Sequence, residues 1–374
     1  MAFRFLHTAD WQVGKPFANY RDDAGAELRA QRIRTVERIA SLARTREVDA
    51  VLVAGDAFDT NEVSDRTLHR TIEALQGFAG SWVILPGNHD AALAHSVWTR
   101  IAEMGPPANL IIADRPEPVS IGAAVVLPAP LRRRREALDQ TEWFDAAATA
   151  DGTIRLGLAH GSVAGRLPAA SEASNEIPAD RAETAGLSYL ALGDWHGHLE
   201  IAPRTWYSGT HEPDRHKDNR PGYVNLVEIA GPRAPPTVEP VAIGHYTWIR
   251  REIELLDGRC DAALAIFDTL PVEHRRCVVS LALTGALSLA ERHRLAQERA
   301  VLEARLHHLE IDETALVDEP TADDIDAIDT AGFVRVAVER LKAKAADPSD
   351  PDHREARMAL RMIYLDHVGQ SDPR

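Results

Sequence analysis

Five polar clusters, each placed directly after an apolar segment, constrain this sequence more than any other feature. Apolar segments typical of buried strands occur at Phe3–Thr8, Asp49–Ala54 and Trp82–Leu85. Helical patterns separate them at Glu27–Arg46 and Ser64–Phe78, and this alternation predicts an α/β fold. Parallel strands bring their carboxyl ends to one edge of a sheet, so polar groups that follow the strands can converge on one site. The clusters are Asp10-Trp11-Gln12, Gly55–Asp59, Gly87–Asp90, His160-Gly161 and Gly193–His196.

Each cluster taken alone has an ordinary structural explanation. An aspartate after a strand most often caps a helix or forms a turn. A single histidine in such a place is more often structural than a ligand. Five clusters of this kind in one chain, all at strand ends, are improbable as a coincidence. Because aspartate, asparagine and histidine side chains are metal ligands, the pattern predicts a metal-binding active site at the sheet edge.

Composition and charge limit the classes of protein that this chain can belong to. Its 374 residues are typical of two domains. The 42 basic and 57 acidic residues give a net charge of −15, which excludes a generally basic protein that coats DNA but allows a local basic patch. Cys260 and Cys277 are too few for a disulfide scaffold. A signal peptide and a membrane-spanning apolar run are both missing, so we expect a cytoplasmic protein.

The second half of the chain predicts a separate, smaller domain. Ala230–Pro240 is rich in proline and predicts an exposed loop or linker, which places a boundary near residue 240. We therefore expect residues 1–240 to form the main domain and residues 241–345 a smaller α/β domain. Residues 346–374 predict a C-terminal helix that either docks within the chain or holds a partner.

In its motifs, the sequence resembles the calcineurin-like metallophosphoesterases. That family carries DxH, GDxxD, GNH(D/E), H and GHxH in this order. Within the family, the segments HTADWQVGKPF, VLVAGDAFDT and LPGNHD are most similar to the SbcD-like DNA repair nuclease subunits of the SbcCD complex. The resemblance covers roughly the first 230 residues. It implies an α/β four-layer sandwich, with two mixed β-sheets flanked by helices, followed by a smaller C-terminal α/β capping domain.

The resemblance also implies two divalent metal ions and a set of ligands for them. It assigns the first ion to Asp10, Gln12, Asp56 and His196, and the second to Asp56, Asn88, His160 and Asp194. Asp56 would thus bridge the two ions. Two such ions can clamp a phosphodiester and activate a water molecule for attack on it.

Three further residues receive roles by the same resemblance. His89 would face the phosphate and act on the transition state or the leaving group. Asp90 would orient His89, and Asp59 would lie behind the ligands rather than bind an ion.

Two of the ligand positions depart from the family pattern. Gln12 and Asp194 stand where the family has histidine. Oxygen ligands favour Mn²⁺ or Mg²⁺ over Zn²⁺, and the neutral amide of Gln12 would hold its ion weakly. The register of the last motif leaves an alternative, since His198 lies two residues beyond His196 and could supply the ligand instead.

Two basic clusters have either a structural or a functional interpretation. They comprise Arg132–Arg135 in one segment and Arg215, His216, Lys217 and Arg220 in the other. Each is either a solvated turn or an edge that contacts phosphates. On the second interpretation, the nucleic-acid-binding residues are Arg132, Arg133, Arg134, Arg215, Lys217 and Arg220.

The function implied by the resemblance is Mn²⁺-dependent exonuclease and endonuclease cleavage of DNA in repair. The family leads us to expect an SMC-like ATPase partner (SbcC-like) and a homodimer. Two alternatives stay open: a small-molecule nucleotide phosphodiesterase, and a weakly catalytic architectural subunit that binds DNA. The additional domain after residue 240 favours DNA as the substrate, and intact Asp56 and His89 favour catalysis.

Overall fold

Two six-stranded β-sheets form the first of the two units into which the chain divides, Met1–Tyr246 and Thr247–Arg374. The computed structural model describes residues 2–20, 23–167, 175–271, 273–320, 325 and 332–371. The boundary between the units lies six residues beyond the position predicted from the sequence, and residues 346–371 fall in the same unit as residues 247–345.

The first sheet has a parallel centre and an antiparallel edge. Its strand order is β12-β11-β1-β2-β3-β4. The strands are β1 (Phe3–Thr8), β2 (Ala50–Val53), β3 (Ser81–Ile84), β4 (Leu110–Ile112), β11 (Tyr223–Ile229) and β12 (Pro236–Ala242). Strands β1 to β4 run parallel, whereas β11 is antiparallel to β1 and β12 is antiparallel to β11.

Strand β12 corrects one expectation from the sequence. The segment Ala230–Pro240 was predicted to be a loop or linker, but its last five residues belong to β12. Proline is tolerated there because β12 is an edge strand.

The second sheet also has a parallel centre, but it has an antiparallel strand at each of its two edges. Its order is β5-β6-β7-β8-β10-β9. The strands are β5 (Val119–Ile121), β6 (Ala124–Ala129), β7 (Ile154–His160), β8 (Tyr189–Gly193), β9 (Leu199–Ala202) and β10 (Thr205–Tyr207). The four strands from β6 to β10 in the sheet are parallel.

Hydrophobic layers join the sheets to each other and to the helices. Phe5, Leu52 and Val83 of the first sheet pack in one buried cluster with Leu156 and Tyr189 of the second. The outer face of the first sheet is covered by α1 (Ala24–Thr45), α2 (Asp65–Leu75) and α3 (Val97–Glu103). A short helix α4 (Arg181–Thr184) and a 3₁₀ segment (Glu142–Phe144) pack on the second sheet. These layers confirm the predicted four-layer sandwich.

The helices begin where local hydrogen bonding favours a start. Ser64 precedes α2, and its side chain accepts a hydrogen bond from the backbone of Thr67, as predicted for a cap. Ser96 and Thr99 form a reciprocal capping box at the start of α3. These caps fix the loops that leave β2 and β3, which are the loops that carry the polar clusters.

The second unit is a smaller α/β structure with its own core. Its parallel strands are β13 (Thr247–Gly258), β14 (Cys277–Leu287) and β15 (His308–Asp318). Its helices are α5 (Asp261–Ala265), α6 (Leu289–Glu303), α7 (Gly332–Ala346) and α8 (His353–Ser371), with 3₁₀ segments at Ile266–Thr269 and His274–Arg276. Among the helices in the described ranges, none is both long enough and apolar enough to cross a membrane.

Candidate metal centre

The predicted polar clusters all lie at carboxyl ends of parallel strands. Asp10 follows β1, Asp56 follows β2 and Asn88 follows β3 in the first sheet. His160 is the last residue of β7, and Asp194 comes directly after β8 in the second sheet. Since the two sheets pack face to face, their strand ends bring these five side chains to one place.

The loops that present these groups carry strained backbone. Asp10, Gln12, Asp56 and Asp194 all have positive φ angles, of 52°, 46°, 52° and 99°. Such conformations cost about 1–3 kcal/mol for each non-glycine residue, and they persist where the surroundings hold them. Here the first two loops brace each other, because Asp10 N donates to Gly55 O at 3.1 Å and Gln12 N donates to Asp56 O at 2.9 Å.

A cluster of buried ligand atoms forms the centre of the site. One ligand atom from each of Asp10, Asp56 and His160 lies within 4.8 Å of the others. His160 Nε2 also lies 3.3 Å from Asn88 Oδ1 and 3.9 Å from Asp194 Oδ1. His160 therefore lies among four other predicted ligands: Asp56, Asn88 and Asp194 are near its Nε2, and Asp10 Oδ1 is 4.0 Å from its Nδ1.

The tautomer of His160 follows from its hydrogen bonds. Its Nδ1 lies 2.8 Å from the carbonyl oxygen of Ala54, and a carbonyl only accepts, so Nδ1 donates. In the neutral ring the lone pair then belongs to Nε2, which faces oxygen atoms of Asn88 and Asp56 that are themselves acceptors. A cation, either a proton or a metal ion, is needed to join these groups.

The charges of the cluster change its pKa values accordingly. Burial opposes protonation of His160, but Asp56, Asp10 and Asp194 outweigh it and raise its pKa to about 9. Burial raises the pKa of Asp10 to about 6 and also raises the pKa of Asp194. Buried Asp10 Oδ2 has no hydrogen-bond partner among the described residues. Carboxylate and amide oxygens with an imidazole fit a divalent metal ion, and an unpaired buried oxygen is what such an ion satisfies.

Asp56 lies in the middle of the donor set. Its Oδ1 accepts a hydrogen bond from the backbone nitrogen of His89 at 2.9 Å, and its Oδ2 accepts from Gln12 Nε2 at 2.8 Å. Both oxygens are thus oriented by groups from the neighbouring loops. Gln12 is close enough to share an ion with Asp56, although its amide nitrogen is the atom that faces the carboxylate here.

His196 and Asp194 complete the wall on the side of the second sheet. Ser162 Oγ donates to Asp194 Oδ2 at 2.8 Å. His196 Nδ1 lies 3.2 Å from Asp214 Oδ2, and this contact raises the pKa of His196 against the effect of burial. With Nδ1 directed at Asp214, Nε2 is the nitrogen of His196 that can bind an ion.

His198, the alternative ligand, lies in a different environment. Its ring packs against Trp206 and Tyr223, with ring centroids 5.6 and 5.7 Å away, and it does not line the cleft at the metal centre. His196 does line that cleft. The geometry therefore favours His196 over His198 as the ligand after β8.

Asp90 contacts the backbone beside His89 and not its imidazole. Asp90 was predicted to orient His89, and its carboxylate accepts hydrogen bonds from the backbone nitrogens of Gly87 at 2.7 Å and Phe58 at 3.0 Å. The backbone carbonyl of Asp59 accepts from His89 Nδ1 instead, at 2.9 Å. Asp90 is buried, which raises its pKa to about 8. It joins two loops because its short side chain points into the fold, away from the cleft.

Basic residues surround the mouth of the cleft, which has a volume of about 370 Å³. The residues that line it and carry a basic side chain other than histidine are Lys15, Arg134, Arg135, Arg215 and Lys217. Arg132, Arg133 and Arg220, which were also predicted to contact nucleic acid, are not among the lining residues. Arg220 instead lies over the ring of Tyr223, at 5.6 Å from its centroid.

Polar residues of this site that were not assigned from the sequence include Lys15, Ser162 and Asp214. Lys15 Nζ donates to Asp214 Oδ2 at 2.6 Å, and Asp214 is also the partner of His196. Although burial opposes it, His196, Lys15 and Arg32 hold the pKa of Asp214 well below its usual range. Two sequence features could have pointed to Lys15 and Asp214: Gly14-Lys15 shortly after Gln12, and the acidic residues Glu212 and Asp214 shortly after Thr210.

Glycines in the motifs allow the loops to approach closely. A Cβ atom added to Gly87 would lie 2.2 Å from Asp56 Oδ1. A Cβ atom added to Gly55, which has a φ of +88°, would lie 2.3 Å from His160 Nδ1. Any side chain at these positions would displace a predicted ligand.

Comparisons with known proteins agree with this geometry. Residues 3–180 match the calcineurin-like phosphoesterase family. Over 145 residues the chain is 32% identical to the SbcD subunit of the nuclease SbcCD from Escherichia coli (strain K12), a match that covers 36% of this chain and 34% of that protein. Over 279 residues it is 26% identical to the DNA double-strand break repair protein Mre11 of Aeropyrum pernix, covering 68% and 64%. The first match thus spans about a third of the relative's length.

We expect Gly87→Ala to weaken metal binding. The added methyl group must push Asp56 away from the ligand cluster, so the affinity for Mn²⁺ should fall by about tenfold or more. Gly231→Ala is the control, because a Cβ there meets nothing within 4 Å. Isothermal titration calorimetry measures both. Equal affinities in the two variants would contradict the placement of Asp56.

We also expect Mn²⁺ affinity to rise with pH. In the metal-free protein His160 has a pKa of about 9, so an ion must displace a proton at neutral pH, and affinity should increase about tenfold per unit between pH 7 and 8. The raised pKa also means that this proton stabilises the metal-free fold fully below about pH 6.5, and this contribution is lost as the pH rises through about 9. Titrations across this range that show a pH-independent affinity would contradict this assignment.

Proposed function

The chain carries a calcineurin-like phosphoesterase domain, and from this premise we propose that it is a Mn²⁺-dependent nuclease that hydrolyses phosphodiester bonds in DNA. The observation that supports this most is the convergence of Asp10, Asp56 and His160 in a buried cluster below a cleft with basic residues at its mouth. Anionic phosphate and divalent cations are both accommodated by such a site.

We propose two ions, with Asp56 as their shared ligand. Asp10, Gln12 and His196 would complete the first set, and Asn88, His160 and Asp194 the second. Bound divalent ions supply positive charge to the phosphate and lower the pKa of a bound water. The preponderance of oxygen donors favours Mn²⁺ or Mg²⁺, and Gln12 makes the first ion the more weakly held.

The protein's own groups would orient the substrate around these ions. His89 lines the cleft, and its Nδ1–H is bound to the carbonyl of Asp59, which leaves Nε2 to face the phosphate. We propose that His89 stabilises charge on the phosphate or the leaving oxygen. Asp90 contributes by holding the Gly87 and Phe58 loops together, and therefore by fixing where His89 stands.

DNA is the proposed substrate for two reasons. The relatives named above are a nuclease subunit and a double-strand break repair protein. Lys15, Arg134, Arg135, Arg215 and Lys217 line the mouth of the cleft, and Lys217 Nζ lies 4.3 Å from the centroid of the Trp195 ring. Cationic groups placed in this way can contact the phosphates on either side of a scissile bond.

Exonuclease and endonuclease activity, a homodimer, a capping role for the second unit and a cytoplasmic location extend this proposal. The name of the bacterial relative describes one component of a complex.

We propose that an SMC-like ATPase partner binds the second unit through a helix. A groove of about 750 Å³ between α7 and α8, lined by Val336, Leu341 and Ala359 among others, is the site we propose for that helix. Val336 and Met362 are exposed apolar side chains on these helices.

A small-molecule nucleotide phosphodiesterase is the second candidate function. The cleft volume of about 370 Å³ favours it, since this is the size of a pocket for a small ligand. One assay separates the candidates: purified protein with Mn²⁺ is given linear duplex DNA, single-stranded DNA and bis-nitrophenyl phosphate. Cleavage of DNA supports a nuclease, and cleavage of only the small ester supports the alternative. DNA binding without any cleavage indicates an architectural protein.

We expect His89→Ala to abolish DNA cleavage while metal binding persists. His89 touches Asp56 through its backbone nitrogen, which alanine retains, whereas the imidazole is lost. His95→Ala, at an exposed position, is the control and should cleave DNA normally. Gel assays of cleavage and calorimetry of Mn²⁺ binding test this. Full activity of His89→Ala would refute its role.

We expect the basic side chains that line the cleft to contribute more to DNA binding than those that do not. Arg134→Ala should weaken DNA binding. The slope of log K against the logarithm of salt concentration should become shallower by about one. Arg132→Ala, from the same run but outside the lining, is the matched control. Fluorescence anisotropy at several salt concentrations gives both slopes, and equal losses would contradict the assigned DNA path.

A further inference from the structure

A buried arginine lies directly behind the loop that carries Asp10 and Gln12. Arg32 belongs to α1, and its residue is fully shielded from solvent. A charged side chain in such a place needs several hydrogen bonds to offset the loss of water. The contacts of Arg32 show where these hydrogen bonds are made.

The guanidinium of Arg32 donates to oxygens of two loops. Nε donates to the carbonyl of Trp11 at 2.5 Å, and one terminal nitrogen donates to the carbonyl of Asp10 at 3.2 Å. The terminal nitrogens also donate to the carbonyl of Glu212 at 3.1 Å and to Thr210 Oγ1 at 2.8 Å. Within the part of the chain that the structure describes, no carboxylate forms an ion pair with this guanidinium.

Together with backbone hydrogen bonds, these contacts hold the loop that carries Asp10 and Gln12 from both sides. The backbone nitrogens of Asp10, Gln12 and Val13 are bound by carbonyls of residues 55–57. Arg32 takes the carbonyls of Asp10 and Trp11 on the opposite side. The positive φ angles of Asp10 and Gln12 direct the chain between these two sets of partners. The loop conformation that presents the Asp10 carboxylate therefore depends on a donor at position 32.

Thr210 and His211 connect the same arginine to a second segment. Thr210 Oγ1 donates to the carbonyl of Asp10 at 2.7 Å, and His211 Nε2 donates to the carbonyl of Arg32 at 2.8 Å. Asp214, the partner of His196, follows in this segment. One buried side chain thus links the loops that position Asp10 and His196.

We propose that Arg32 is a positioning residue that sets the metal affinity of the ion shared by Asp10 and His196. The proposal rests on the metal site of the proposed function, and extends it to a residue that touches neither substrate nor ion. Arg32 acts through the carbonyl oxygens of Asp10 and Trp11. Without the buried donor these oxygens would be left unsatisfied, and the loop would rotate to relieve this.

The sign of the effect separates positioning from simple charge. A buried positive charge near a metal ion repels it, so neutralising Arg32 would strengthen metal binding if charge alone mattered. Positioning has the opposite consequence. Arg32→Met removes both the charge and the donors, and Arg32→Lys keeps the charge but cannot reach four acceptors with one ammonium group. Positioning therefore requires both variants to bind metal more weakly.

Arg155 offers a matched control in the second sheet. Its guanidinium also donates to three carbonyls, of Phe144, Ala147 and Ala185, and to one threonine hydroxyl, of Thr149. Arg155 lies on β7, five residues before His160. Arg155 is only partly buried, so Arg155→Lys controls for the loss of a comparable set of hydrogen bonds, and it should leave the loop that carries Asp10 and Gln12 unaltered.

The experiment measures Mn²⁺ binding to the full chain by electron paramagnetic resonance of the free ion, with thermal unfolding of the metal-free protein measured alongside. We expect Arg32→Lys and Arg32→Met to raise the dissociation constant of the more sensitive ion by about tenfold or more. Arg155→Lys should stay within about twofold of the wild type. Wild-type affinity in both folded Arg32 variants, or tighter binding by Arg32→Met, would overturn the proposal.

A second pair of variants applies if the Arg32 variants fail to fold. Thr210→Val removes the hydroxyl that bridges Arg32 and the Asp10 carbonyl, and should weaken Mn²⁺ binding, whereas Thr210→Ser should not. Equal binding by these two would overturn the proposal. Because metal binding is the readout, a failure of DNA cleavage would refute only the nuclease activity. A wild-type protein that does not bind Mn²⁺ would refute both proposals.

Discussion

Mutual repulsion among buried acceptors is the constraint on which this structure depends. Asp56 and Asp194 present carboxylates to Nε2 of His160, and Asp10 lies near its Nδ1. Burial already disfavours the charge of Asp10 and Asp194. Such an arrangement is stable only with a cation among the acceptors, and in the metal-free protein the proton of His160 fills that need. The strained loops, the glycines that allow close approach and the face-to-face sheets all serve to hold these groups together. The fold is therefore organised around a place where positive charge must be bound.

The net charge of −15 takes on a narrower meaning in this light. Part of the acidic charge is enclosed in the ligand cluster, where bound divalent ions would reverse it locally. Arg134, Arg215 and Lys217 then add positive charge at the mouth of the same cleft. An acidic chain can thus offer a phosphate a cationic path that is confined to one patch. If the proposed function holds, affinity for nucleic acid would depend on metal occupancy more than on overall charge.

Much of the fold and the centre of the site could be predicted from the sequence, and the reasons are local. Apolar strands followed by aspartate, asparagine or histidine specify both a sheet edge and the groups at it, so Asp56 and His160 meet as predicted. The direction of a side chain after the loop turns could not be predicted, and Asp90 points to backbone nitrogens of Gly87 and Phe58 rather than to His89. Contacts between residues about 180 positions apart in the sequence, such as that between Arg32 and Thr210, could not be predicted either, because no local sequence pattern indicates them. The strand β12 was missed since prolines suggest a loop wherever an edge strand is not recognised.

Anomalous diffraction from a crystal of the full chain soaked in Mn²⁺ tests the central claim most directly, because it counts the ions and identifies their ligands together. We expect two peaks that share Asp56, one beside Asp10 and His196 and the other beside Asn88 and His160. The first peak should be the weaker, since Gln12 is a neutral ligand. Absence of any peak beside Asp56, or a peak at His198 instead of His196, would contradict the proposed two-ion site.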